Sequence, residues 1–348
     1  METALTLDTL NAGRLAADAA GRGAARVPDA ALSAAGLLFP AVSWSLPGEW
    51  PRRGAAACDA PTRALPGPFR IVRAEPPPDL FRGWRRYTDP ELVGVGGMGR
   101  VYRAREPRDG RAVALKFLVE GRHRPHALRE ARLQARVRHP NVLPVLDLGT
   151  LHGYPWFAMP YLEARTLKSL RAELDLPHAV ALMAEVARTV HAVHLHGVVH
   201  CDLNPRNVLV SGAPGGALRP WVIDFGIAQE AARPRLEDPA RVVGTPSYMA
   251  PEQALGRHRS IDHRTDVYAL GATLYELATG RRPFAAATCE AVLTKAIREE
   301  PQPIHELNAD VPERLERIVL RCLEKHQDDR YPDAEQLAAE LEGCLGGC

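Results

Sequence analysis

One change of apolar period divides this 348-residue chain. From Tyr87 onward, runs such as ELVGVGGMGRVYRARE, RAVALKFLV, LPVLDLGTL and PWFAMPYL read as strands separated by turns, with a single helical stretch from Pro125 to Val137 among them. After EARTLKSLRAEL the spacing becomes helical for most of the remaining chain. In PHAVALMAEVARTVHAVHLHG, Val180, Met183, Val186, Val190 and Val193 fall on one stripe that stops at Gly197. TDVYALGATLYELATG reads as a buried helix, and PERLERIVLRCLEK and DAEQLAAELEG as amphipathic ones. Strands first and helices after predict an α+β class: a small antiparallel sheet lobe carrying one helix, beside a larger helical lobe. No internal repeat of solenoid length is present.

Residues 1–85 lack this patterning. They are rich in Ala, Pro, Gly and Arg, show no sustained period and end in AEPPPDLFRGWRR, so they are expected to form a flexible extension, with a domain over 86–342 and a short tail at 343–348. Residues 30–48 are uncharged, but the prolines, glycines and serines among them argue against a membrane span. With 46% apolar and 25% charged residues and a net charge of +2, the composition is that of a globular protein, and nothing in it predicts a nucleic-acid partner. The 6 cysteines form no C-x-x-C pair and no disulfide framework. Reduced thiols in the cytoplasm are the expectation.

Three short stretches carry chemistry. GVGGMGRV supplies Gly94, Gly96, Gly97 and Gly99 between two strands. It reads either as a tight hairpin turn or as a loop whose bare backbone N–H groups close over phosphates. A dinucleotide fold would need a helix after the third glycine, and a strand comes instead. Lys116, in VALK, lies on the next strand, where its ammonium could reach those phosphates, and Glu130 on the first helix is a candidate partner for it. HCDLNPRNVLV places Asp202 five residues before Asn207, ahead of an apolar run. That spacing suits a carboxylate meeting an attacking hydroxyl while a nearby amide holds a metal.

These stretches, with DFG, GTPSYMAPE, DVYALG and a late Arg330, occur in the order found in protein kinases, and the chain resembles most the eukaryotic-like serine/threonine kinases of bacteria over roughly residues 87–342. The resemblance implies a two-lobed kinase fold, with an N-lobe over 86–159, a hinge over 160–163 and a C-lobe over 164–342. It implies ATP and Mg2+ as cofactors and protein substrates with Ser or Thr acceptors, including the chain itself. ATP would contact Val93, the glycines Gly94, Gly96, Gly97 and Gly99, Val101, Ala114, Lys116 and Leu209, with Met159 as gatekeeper and the carbonyl of Pro160 and N–H of Leu162 bonding adenine. Asn207 and Asp224 would hold the metal, Asp202 would orient the acceptor hydroxyl, Glu130 would pair with Lys116, Thr245 would contact Asp202, Glu252 would pair with Arg330, and Asp266 would brace the catalytic loop.

Two positions depart from that pattern. Cys201 replaces an arginine that binds a phosphorylated activation loop in many relatives, while residues 227–244 contain no Ser, Thr or Tyr. Activity independent of phosphorylation in that segment is therefore expected. Asn204 replaces a lysine that carries positive charge beside the transferring phosphate, and Arg206 stands where tyrosine kinases place an arginine for the same work. Two rival readings remain: a nucleotide-binding pseudokinase, favoured by Asn204, and a small-molecule phosphotransferase, disfavoured by GTPSYMAPE and DVYALG. The histidines of HAVHLHGVVH are expected to serve packing and the loop rather than a metal.

Overall fold

The computed structural model describes residues 42–45, 79–96, 99–118, 128–212, 217–225, 228–230 and 241–345. Most of the extension, Gly97 and the middle of the segment 227–244 lie outside the described residues. The sheet lobe contains β1 (Thr88–Gly96), β2 (Gly99–Arg105), β3 (Ala112–Leu118), helix α1 (Arg129–Arg136), β4 (Asp147–Leu151) and β5 (Tyr154–Pro160). The strands form one antiparallel sheet in the order β1-β2-β3-β5-β4.

Strand alternation sorts β3 into two faces. Val113, Leu115 and Phe117 pack with Leu80, Tyr87 and Trp156 on the outer face, whereas Ala114 and Leu118 pack with Val101, Phe157 and Met159 on the inner one. The outer face is closed by residues that the sequence pattern assigns to the extension. Leu80 is fully buried, Phe81 meets Tyr102 edge-on at 4.8 Å, and Trp84 meets Trp156 at 5.2 Å. The packed lobe thus takes in residues 79–85, ahead of the boundary expected at 86. Apolar and aromatic area at Leu80, Phe81 and Trp84 outweighs the local Pro and Arg content.

The helical lobe begins with β6 (Ala164–Thr166), followed by α2 (Leu176–Leu195), β7 (Val208–Ser211), β8 (Arg219–Val222), α3 (Pro251–Ala254), α4 (His263–Thr279), α5 (Glu313–Cys322) and α6 (Ala334–Leu345). Asp175 caps α2 by accepting from the His178 N–H at 2.8 Å, and Gly197, at φ +70°, turns the chain away beyond its end. The five stripe residues of α2 are all buried. Helix α4 stops at Gly280, again left-handed, and crosses α5 so closely at Gly271 that a Cβ there would strike Cys322. Helix α6 runs past the expected domain end at 342 to Leu345. Strands β8, β7 and β6 form a small sheet that brings the site residues to the inner surface of this lobe. Among the described residues, no helix is long and apolar enough to cross a membrane.

Candidate active site

An open cleft of about 630 Å³, the solvent at its mouth included, lies against the inner face of the sheet. Val93, Gly94, Val101, Ala114, Lys116, Met159, Pro160, Leu162 and Leu209, all candidate contacts named from the sequence, line it. Gly96 and Gly99 are not among its walls, and Gly97 lies outside the described residues. Gly99 has a different constraint: an added Cβ would overlap the carbonyl of Phe117 on the neighbouring strand, so bare backbone is required there. The N–H of Leu162 has no hydrogen-bond partner among the described residues, leaving a donor at the rim of an apolar cleft.

Sequence reasoning missed Gln134 at the back of this cleft. It is fully buried on α1 and donates to the Leu143 carbonyl at 2.8 Å and to Met159 Sδ at 3.4 Å. Its Oε1 is buried without a partner among the described residues. A polar residue one turn after Glu130 gives no sequence signal of its own, since an exposed helix glutamine looks the same.

At the inner end of the cleft, Lys116 Nζ bonds Asp224 Oδ1 at 2.8 Å and lies 5.8 Å from the Phe157 ring. Glu130 falls on α1, but its side chain lies outside the described residues, and so does the expected pair with Lys116. Asp224 has φ +66°, as does Cys201, a left-handed backbone that costs a non-glycine residue about 1–3 kcal/mol.

Asp202 is the centre of the loop. Its Oδ1 accepts from the Thr245 hydroxyl at 2.8 Å and the Thr245 N–H at 2.9 Å, and its Oδ2 from the Asn207 amide at 3.2 Å. Burial pushes the Asp202 carboxyl up to about 7, against the pull of the Thr245 hydroxyl, and the charge of Asp224 pushes the same way as burial. The Asn207 amide also donates to the Asp202 carbonyl at 2.8 Å, which leaves its Oδ1 without a hydrogen bond among the described residues.

Asn204 is buried and neutral. Its amide donates to the Asp202 carbonyl at 2.9 Å and to Thr245 Oγ1 at 3.3 Å, and its oxygen accepts from the Arg206 N–H at 3.0 Å. It staples the loop to Thr245 as a local turn residue does. The Arg206 guanidinium makes no hydrogen bond or ion pair among the described residues. Cys201 is buried in a small apolar cluster with Val199 and Ile261.

The loop is braced from below by Asp266, fully buried, which accepts from the N–H groups of His200 and Cys201 at 2.8 Å each and from His194 Nε2 at 2.8 Å. Burial works to raise the Asp266 carboxyl, but the His194 bond and the N–H of His200 outweigh it and hold it below the usual range. His200 is buried, which lowers its pKa and keeps it neutral. Its Nε2–H donates to the Ile223 carbonyl at 3.0 Å while Nδ1 accepts from the Asp202 N–H at 3.3 Å. No histidine belongs to a group able to hold a metal among the described residues.

A second brace fixes the segment beyond Thr245. Arg330 forks onto Glu252 with contacts of 2.9 and 2.8 Å, and Thr265 adds a hydroxyl to the same carboxylate at 2.8 Å. Gln253, not foreseen from sequence, reaches from α3 to the carbonyl of Cys201 at 2.7 Å.

Residues 87–340 match a family model described as the protein kinase domain. The DNA damage-responsive serine/threonine-protein kinase RqkA of Deinococcus radiodurans is 40% identical over 264 residues, covering 73% of this chain and 38% of that protein. The serine/threonine-protein kinase PknB of Mycolicibacterium smegmatis is 36% identical over 271 residues, covering 74% and 42%. The serine/threonine-protein kinase pkn3 of Myxococcus xanthus is 36% identical over 272 residues, covering 74% and 49%. The matched stretch is thus less than half the length of each of these curated relatives.

Proposed function

The chain belongs to the protein kinase domain family, and from that premise we propose that it transfers the terminal phosphoryl group of ATP to serine or threonine hydroxyls of proteins, itself included. The observation that carries this reading is the placement of Asp202: a buried carboxylate already bonded to a threonine hydroxyl at 2.8 Å, within electrostatic reach of Asp224 at the inner end of the cleft. We assign the catalytic unit to residues 86–342 with the 79–85 cover attached, and its location to the cytoplasm.

The residues fit the cofactors. An apolar cleft with the unpaired Leu162 N–H at its rim suits adenine, with Pro160 offering only its carbonyl, as a proline can. Asp224, together with Asn207 through its uncommitted Oδ1, would hold Mg2+, which when bound offsets phosphate charge during transfer. Lys116, positioned by Glu130, would leave Asp224 for the phosphates, and the glycine loop would cover them. Asp202 would take the acceptor's hydroxyl in the place Thr245 marks and receive its proton, a role its raised pKa suits.

Because Asn204 contributes no charge, the positive charge beside the reacting phosphate is assigned to Arg206, whose guanidinium makes no hydrogen bond or ion pair among the described residues. Arg206→Ala should lower phosphoryl transfer by on the order of 10²-fold with nucleotide affinity unchanged; an unaltered rate removes the assignment. The apolar setting of Cys201 offers no cation to a phosphorylated loop, so phosphatase treatment should leave the transfer rate as it was. A large loss on treatment, restored by an upstream kinase, contradicts this.

The overall reading is tested by incubating the purified chain with magnesium, γ-labelled ATP and a generic protein acceptor, followed by phosphoamino-acid analysis. Phosphoserine or phosphothreonine supports it. Bound nucleotide without transferred label would instead establish the nucleotide-binding module that neutral Asn204 favours, and label on an aminoglycoside or choline alone would favour small-molecule chemistry.

A further inference from the structure

We propose that Gln253 is a positioning residue for phosphoryl transfer, an uncharged link that fixes the peptide unit ahead of Asp202 to the segment expected to receive the acceptor. The inference rests on the proposed transfer and adds a residue to it. Gln253 is buried, and its two ends do different work. Its Oε1 accepts from the Ala250 N–H at 3.1 Å at the start of α3. Its Nε2 leaves that helix entirely and donates to the Cys201 carbonyl at 2.7 Å.

That carbonyl belongs to the peptide plane immediately ahead of Asp202, whose rotation would swing its side chain. The plane is held at its oxygen by Gln253 and at its nitrogen by His200 Nδ1, at 3.3 Å. Cys201 itself is in the left-handed region at φ +66°, with its own N–H taken by Asp266 at 2.8 Å. A strained conformation persists only where its surroundings over-determine it, and Gln253 supplies the hold on the carbonyl side. The link also closes a ring. Asp202 meets Thr245 at one end of the acceptor segment, and Cys201 meets Gln253 near the other, with Pro246–Tyr248 between them. With a thiol at position 201, no charged side chain there joins loop and segment, so this amide supplies the hold at that end, as the Thr245 bonds do at the other.

The test compares Gln253→Met, which removes both bonds, with Gln253→Glu, whose ionised carboxylate still accepts from Ala250 N–H but cannot donate to Cys201. Thr265→Val is the control, since it loosens the same buried corner through Glu252 without touching the loop. Rates are expressed per nucleotide-binding site, so that unfolded material does not count. Both Gln253 variants should lower kcat about 10-fold to 10²-fold, the scale of misplacing a catalytic group by an ångström, with KM for ATP unchanged. Thr265→Val should keep the wild-type kcat. Equal kcat for wild type and either Gln253 variant overturns the proposal alone, as does an equal fall in Thr265→Val. A wild-type chain that transfers no label overturns it together with the reading beneath it.

Discussion

Asp202→Asn should reduce label transfer by on the order of 10²- to 10⁴-fold, the usual contribution of a positioned general base, while ATP still binds. Asparagine keeps the size and planarity of the side chain, and its oxygen can still accept from the Thr245 hydroxyl and N–H that now hold Asp202 at 2.8 and 2.9 Å. The change therefore removes charge and basicity with little change of shape. The nucleotide cleft is lined by other residues, so affinity for ATP should stay within a few-fold, measurable by equilibrium binding. A variant that transfers label at the wild-type rate would mean that the carboxylate is not the group receiving the proton.

Arg330→Met should lower the free energy of unfolding by about 3–5 kcal/mol, the cost of stranding one member of a buried ion pair. Arg330 is only 1% exposed, and its N–H groups are met by both oxygens of Glu252 and by the carbonyls of Glu324, Arg264 and Lys325. Methionine fills much of the volume but leaves the Glu252 carboxylate with Thr265 as its neutral donor. Urea unfolding of both single variants, Arg330→Met and Glu252→Gln, and of the double variant measures the coupling. The double variant should recover part of the loss. A single variant within about 1 kcal/mol of wild type, the range of an exposed pair, would show that the fork contributes little to stability.

Much of this arrangement is legible in the sequence because the features are local. Lys116 is one step along a strand whose alternation is visible, Asp202 and Asn207 are five apart, and the α2 stripe repeats with helical spacing. The family resemblance then linked such local features across the chain, as in the Glu252–Arg330 pair, 78 residues apart. What stayed hidden depends on which surfaces meet. Gln134 and Gln253 are ordinary helix glutamines until the fold buries them against Met159 and Cys201. Asn204, read as a missing charge, turns out to spend its amide on Thr245 and Asp202, which only the approach of two loops permits. Residues 79–85 were obscured by their Pro- and Arg-rich neighbourhood, although Phe81 and Trp84 supply rings the sheet needs on its outer face.

The Glu252–Arg330 fork also bears on the order in which the protein matures on the ribosome. Every residue lining the nucleotide cleft has been made by position 224, whereas the anchor of the acceptor segment is made only at position 330. A nascent or prematurely terminated chain lying between those points holds the residues that line the cleft but lacks the guanidinium that forks onto Glu252. Under the proposed function, phosphoryl transfer would then require a chain synthesised through position 330.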